Sequence, residues 1–238
     1  GRFPGTSADE WQYAEEVVRA ARVTSHVVEP TADGFAAELA DFMWYNELPV
    51  GSSSQYAQWC VFRLAREHGV TVLLDGQGAD ELLGGYEQYF RFYLDALRET
   101  GQVDRLKSEE PRIRARYPLA LAPPVRTLRD RLPFGVRRWL SHRLGKGTNL
   151  LYGLKPEVAR RVAEENRRAR VERFHALGSA LYQDSFGMYL NTLLRYGDRN
   201  SMAHSREVRL PFCDHRLAEL ALSLPPQHLM GEVQTKRL

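Results

Sequence analysis

Apolar residues recur at helical spacing at Trp11, Ala14, Val18 and Ala21, and Ser7 followed three residues later by Glu10 forms a capping box, which predicts a helix over about 9–21. Ser25 to Glu29 reads as a short strand. Phe35, Leu39, Phe42 and Met43 mark a second helix that ends before Pro49, and Tyr56, Trp59, Cys60 and Leu64 mark a third. Val70 to Leu74 is then an apolar, β-branched run ended by glycines at alternate positions, the pattern of a buried strand entering a tight turn. Residues 1–95 thus alternate helix and strand, which predicts an α/β core with a parallel, doubly wound sheet. Ligands in such sheets gather at the carboxyl ends of the strands, where Asp75 to Asp80 would lie.

Residues 96–175 lose this alternation and become rich in arginine and proline, including Pro118, Pro123, Pro124 and Pro133, so a helical insertion is expected there. Helical periodicity returns at Leu177. Leu190, Leu193 and Leu194 lead into a charged stretch from Arg195 to Arg216, whose charges need partners wherever they are buried. Asp214 reads as the N-cap of a last helix with Leu217, Leu220 and Leu224 on its inner face. Asp198, Arg199, Asn200 and Glu207 fit an internal ion-pair network as well as a ligand site, and His204 reads as a structural histidine. The expected organisation is a core over 1–95, an insertion over 96–175 and a helical part over 176–238 that belongs to the same domain as the core.

The chain has 238 residues, 43% of them hydrophobic, enough for one substantial domain with an insertion. No stretch approaches 18 consecutive apolar residues and the N-terminus lacks a basic-then-apolar pattern, so a cytoplasmic protein with no membrane partner is expected. Cys60 and Cys213 form no C-x-x-C pair or zinc pattern; unpaired thiols are expected, with Cys213 buried. The net charge of +3 is unevenly spread, since residues 101–175 hold 19 Lys and Arg against 8 Asp and Glu. The arginines of this basic island lack interleaved stacking aromatics, which favours a solvated insertion over a nucleic-acid surface.

The segment Leu73 to Tyr86, LLDGQGADELLGGY, joins strand, glycine turn and acidic helix start. Gly76 and Gly78 let the backbone approach a ligand closely, and the first amides of the following helix would face an anion. Asp80 and Glu81 oppose an anion there, at on the order of 4 kcal/mol for like charges about 4 Å apart near a surface. A divalent cation would reverse that sign, and Mg²⁺ binds through one or two carboxylates plus substrate phosphates. The residues alone are equally compatible with a helix cap and a turn. A calcium loop fails at its fifth position, Ala79; a dinucleotide fingerprint lacks its third glycine, with Glu81 in that place; and no Walker lysine follows.

Taken in order, LLDGQGADELLGGY, LLRYGDRNSMAHS, EVRLPFCDHRL and the terminal QTKRL resemble the asparagine synthase family of ATP pyrophosphatases. The resemblance covers nearly the whole chain except 96–175. It implies a partial adenine-nucleotide alpha-hydrolase-like sheet, and a ligase that uses ATP and Mg²⁺ to activate a substrate carboxylate, aspartate being favoured, as an acyl-adenylate. Ammonia, usually from the family's glutaminase domain, then attacks the acyl carbon. By the same resemblance Asp80 would carry Mg²⁺, and Asp75, Gly76, Gln77 and Gly78 would lie against the nucleotide. Lys236 would neutralise charge on the α-phosphate and pyrophosphate, and Arg199 and Asn200 would be weaker candidates for contacts to substrate or pyrophosphate. Glu47 and Ser52 to Ser54 would line the same cleft, and a homodimer is left open.

Three departures bear on the transfer. The family's Ser-Gly-Gly-x-Asp-Ser pyrophosphate loop is absent and would lie upstream of Gly1, so the chain reads as a fragment of a larger amidotransferase, inactive in adenylation when alone. Residue 1 is glycine, not the nucleophilic cysteine of the glutaminase half. Gln77 stands where many asparagine synthetases have an acid proposed to deprotonate ammonium, and a neutral amide cannot be that base. Amidation of another metabolite or a peptide, or closure of a β-lactam ring, therefore stands as an alternative on the same fold, and a non-catalytic polyanion-binding scaffold as one of another class.

Overall fold

A computed structural model describes residues 1–7, 9–121, 155, 157, 158, 161 and 174–237. Pro123, Pro124, Pro133 and most of the basic island lie outside the described residues. The described chain is mainly helical with a small parallel sheet, compatible with the α/β class, and divides into two compact units, Gly1–Gly78 with Met188–Leu217 and Ala79–Gly187 with Ala218–Leu238.

In the first unit, helices α1 (Trp11–Ala21), α2 (Ala32–Asn46) and α3 (Ser54–Glu67) precede strand β1 (Val72–Leu74). The capping box is not formed: α1 starts at Trp11 with Glu10 in the cap position, and Asp9 accepts the Trp11 amide at 3.3 Å instead. Nor is 25–29 a strand. A strand needs a neighbour to receive its amides, and among the described residues the backbone bond formed there is a single one, from Arg2 N–H to the Val28 carbonyl at 2.8 Å. Val28 packs beside the core instead, which consists of Phe42, Tyr56, Trp59 and Cys60. Edge-to-face ring contacts from Phe42 to Tyr56 at 5.8 Å and to Trp59 at 5.6 Å join α2 to α3.

A later helix (Met188–Ala203) packs on α2 and α3 through a buried polar bolt. The Asn200 amide nitrogen donates to the Gln55 carbonyl at 3.1 Å and the Gln58 Oε1 at 3.0 Å, while its oxygen accepts from Asn46 Nδ2 at 3.0 Å. Asn200 is wholly buried. The chain then forms β2 (Glu207–Arg209), parallel to β1 in the register Val72 to Glu207, Leu73 to Val208 and Leu74 to Arg209. The expected buried strand differs from the observed one: Leu73 and Val208 turn inward while Leu74 is 76% exposed, because two strands cover only one face.

The second unit holds α4 (Ala79–Leu83), α5 (Tyr89–Glu99), α6 (Val103–Arg116) and α7 (Ala176–Phe186); with Met188–Ala203 numbered α8, α9 (His215–Ser223) and α10 (Pro226–Leu229) complete the described helices. Tyr89, Phe90, Tyr93, Leu94 and Leu97 recur at three- and four-residue spacing on α5 and bury one stripe against Ile113, Leu177, Leu181, Leu229 and Met230. Asp214 accepts the Arg216 backbone amide at 2.8 Å, as an N-cap does, and the Arg216 guanidinium holds its carboxyl well below the usual carboxylate range. The inner face of α9 departs from expectation. Ala218 and Ala221 are buried with Leu82, whereas Leu220 is exposed, since two alanines three apart allow a closer approach than leucine does.

Candidate active site

Asp80 and Lys236 are brought together within the second unit. Lys236 Nζ lies 2.8 Å from Asp80 Oδ1, the lysine side chain 45% and the aspartate 36% exposed. The two glycines of the GGY phrase make this possible for different reasons. Gly84 has φ of +72°, a conformation that costs other residues, and an added Cβ there would meet the Met230 side chain at 3.0 Å. At Gly85 an added Cβ would fall 1.7 Å from Asp80 Oδ1 and 2.9 Å from Asp80 Cα, so no side chain fits without moving the carboxylate. Gly85→Ala is therefore expected to displace Asp80 and to lower stability by about 1–3 kcal/mol, measured by thermal unfolding; an unchanged midpoint would show that the turn relaxes around the added methyl at no cost.

Glu81 does not share the site with Asp80, contrary to the like-charge argument from sequence. It is buried and accepts from the Tyr86 hydroxyl at 2.5 Å. The loop that presents Lys236 is unusual in its backbone: Glu232, Val233 and Lys236 have φ of 52°, 65° and 46°, and Gly231 has 149°. Val233 is β-branched, for which that region is a genuine outlier. Such residues cost on the order of 1–3 kcal/mol each and persist where the surroundings over-determine them, often at functional sites.

The expected nucleotide loop, Asp75 to Gly78, belongs to the first unit, following β1. The Asp75 amide donates to the Arg209 carbonyl at 3.0 Å, continuing the parallel ladder. Gly78, at φ of +96°, leaves room for Cys213 Sγ, which an added Cβ would meet at 3.0 Å; above Gly76 the space is open. Cys213 is exposed, not buried as expected, although its thiol lies over the Gly78 backbone and donates to the Gln77 carbonyl at 3.6 Å. Helix α4 is five residues long, too short to supply the extended helix N-terminus that the sequence suggested.

Asp75 and Gln77 open on a cavity of about 440 Å³ that Asp198, Glu207, Leu193 and Met202 also line. Three acidic residues thus share this lining with Gln77, Glu207 being paired with Arg209 at 2.8 Å and Asp198 with Arg199 at 3.3 Å. Arg206 borders it but is tied to the backbone, with Nη1 on the Val70 carbonyl at 2.8 Å and Nε on that of His204 at 3.0 Å. Arg199 opens elsewhere, on a groove with Trp44, Tyr45 and Glu47, and is held by Glu47 at 3.0 Å and Asp198 at 3.3 Å. Asn200, expected at substrate, is buried and engaged on both sides of its amide, so it serves packing instead. Ser52 and Ser54 bond each other at 3.0 Å on an exposed turn. His204 is buried edge-on to Trp59 at 4.4 Å, and burial pushes its pKa down, consistent with a structural histidine. The space-making role of Gly85 was missed from sequence, although two adjacent glycines just past Asp80 were a signal for close approach. The acids across the cavity from Gln77 carried none, being about 120 positions away.

The profile of the asparagine synthase family matches residues 2–238. Among individual relatives, the chain is 24% identical to "Amidase chry2" of Gibberella zeae, over 93% of this chain and 36% of that protein. It is 28% identical to a "Putative asparagine synthetase [glutamine-hydrolyzing]" of Mycobacterium bovis, over 87% and 32% respectively. It is 25% identical to "Asparagine synthetase [glutamine-hydrolyzing] 1" of Bacillus subtilis, over 90% and 34%. The chain spans about a third of the length of these relatives. No solved structure matches. With the profile covering nearly every residue, including both loops that carry Asp80 and Lys236, the chain belongs to the asparagine synthase family.

Proposed function

We propose that the chain is the synthetase part of a glutamine-dependent amidotransferase, which uses ATP to activate a carboxylate as an acyl-adenylate and forms an amide with ammonia. The observation that carries this reading is the Lys236–Asp80 contact at 2.8 Å, presented by a strained loop. The pair offers one cation and one anion with partly exposed atoms, the set a metal–pyrophosphate needs. Mg²⁺ is typically held by one or two carboxylates plus substrate phosphates, so a single carboxylate such as Asp80 suffices on the protein side. Asp80 would hold the ion, and bound Mg²⁺ would supply charge neutralisation at the phosphates. Lys236 would stabilise negative charge as pyrophosphate leaves. Asp75, Gly76, Gln77 and Gly78 would lie along the nucleotide, and Arg199 would need release from Glu47 or Asp198 to reach an anion.

Gln77 bears on the amine step. It cannot accept a proton, but Asp75, Asp198 and Glu207 line the same cavity and could take one from ammonium or from a larger amine. Relatives named amidases stand beside those named asparagine synthetases, which favours amidation of a different acceptor as the second reading. In the full-length protein with ATP, Mg²⁺ and a panel of carboxylates, pyrophosphate release is expected to depend on one carboxylate, aspartate being the first to try. Asp80→Asn should lower it by about 10²-fold or more. Release that no carboxylate stimulates, or that survives Asp80→Asn, would overturn the adenylation reading.

A further inference from the structure

We infer that Glu109, together with Tyr93, is a positioning residue that clamps the Gly231–Lys236 loop and so aims Lys236 at Asp80. Glu109 sits on α6, 3% exposed, in a helix whose sequence is otherwise strongly basic. A buried carboxylate is costly unless its oxygens are satisfied, and here each one is. Oε1 accepts from Arg105 Nη1 at 3.1 Å. Oε2 accepts from the Tyr93 hydroxyl at 3.0 Å and from the backbone amide of Glu232 at 3.0 Å. The last bond reaches 123 positions along the chain, into the strained loop four residues before Lys236.

The loop's shape depends on this carboxylate. Backbone at positive φ does not persist unless the surroundings hold it. Gly231 and Gln234 bond each other at 3.1 and 2.8 Å and Arg237 is tied to Glu232 at 2.6 Å within the segment, while the Arg237 amide on the Leu229 carbonyl at 3.0 Å and Val233 on the core anchor its two sides to α10 and its neighbours, leaving the Glu232 turn between them to be held from α6. Glu109 supplies an attachment to the helical core. Gly231 confirms how closely the segment is held, since an added Cβ would lie 3.1 Å from Tyr93 Oη and 3.5 Å from Glu109 Oε2. Burial and then the Glu109 charge raise the Tyr93 pKa, which keeps the hydroxyl protonated and donating.

The proposal rests on the reading of Lys236 as the lysine that faces pyrophosphate, and its test separates the two. In the full-length protein, Glu109→Ala is expected to lower kcat for pyrophosphate release about tenfold or more, since a displacement near 1 Å can cost that much. Glu109→Gln keeps an acceptor for Glu232 and Tyr93, and should restore kcat to within about threefold of the parent. On a Lys236→Ala background Glu109→Ala should cost nothing further, the signature of two residues acting as a unit. Hydrogen exchange at the Glu232 amide should be faster in Glu109→Ala, independently of turnover.

An equal loss of kcat on both backgrounds, or retained protection of the Glu232 amide, would overturn the clamp. Should Glu109→Ala fail to fold, Tyr93→Phe replaces it. That variant should lower kcat only where Lys236 is present, and an equal drop without Lys236 would again overturn the proposal. If Lys236→Ala alone leaves turnover unchanged, the reading of Lys236 fails, and the exchange rate at Glu232 still decides whether Glu109 holds the loop.

Discussion

Lys236→Ala in the full-length protein is expected to lower ATP-dependent pyrophosphate release by about 10²–10³-fold, the usual loss when one preorganised electrostatic contact to a developing negative charge is deleted. The side chain is not needed for packing. It is about half-exposed, and its one described ion pair is with Asp80, so stability should change by less than about 0.5 kcal/mol. The backbone provides a control. Lys236 has φ of 46°, a conformation glycine adopts without cost, so Lys236→Gly should fold at least as well as Lys236→Ala and be equally slow. Lys236→Arg should remain well below the parent, because a planar guanidinium does not reproduce a compact ammonium on a four-carbon stem. A Lys236→Ala protein that turns over like the parent would remove the lysine from the chemistry.

Asn200→Ala is expected to have the largest effect on stability, about 3 kcal/mol, because it strips partners from the buried Gln55 carbonyl and the Asn46 amide and leaves a cavity between α8 and α3. For a chain of this size that corresponds to a thermal midpoint lower by roughly 10 °C. The measurement is thermal or urea unfolding of the 238-residue chain followed by circular dichroism. A midpoint within about 1 °C of the parent would mean that water or rotation of the neighbouring amides replaces the lost bonds.

Neighbours along the chain made α2 and α3 legible, since each shows apolar residues at helical spacing and helix periodicity is a local property. Leu220 and the segment 25–29 show where local pattern stops. Whether an apolar residue is buried, or an extended segment becomes a strand, depends on which partner arrives from elsewhere in the chain. Asn200 makes the same point for a polar residue, as its surroundings in sequence are charged and suggest a surface, while its three bonds reach residues 142 to 154 positions away.

The candidate site divides along the same line. Asp80, the glycines around it and Lys236 were visible in the sequence because motif order and spacing are one-dimensional, and these motifs carry the family as well. The chain by itself thus determined the family and the residue types available for chemistry. Only the tertiary structure decided that Lys236 Nζ rests on Asp80, that Glu81 turns inward, that Gly85 must lack a side chain and that Glu109 holds the terminal loop. Each of these is a contact of a few ångströms between positions whose separation in sequence ranges from 5 to more than 150, and no local propensity encodes such distances; they follow from which helices pack together and which buried charges must then be satisfied.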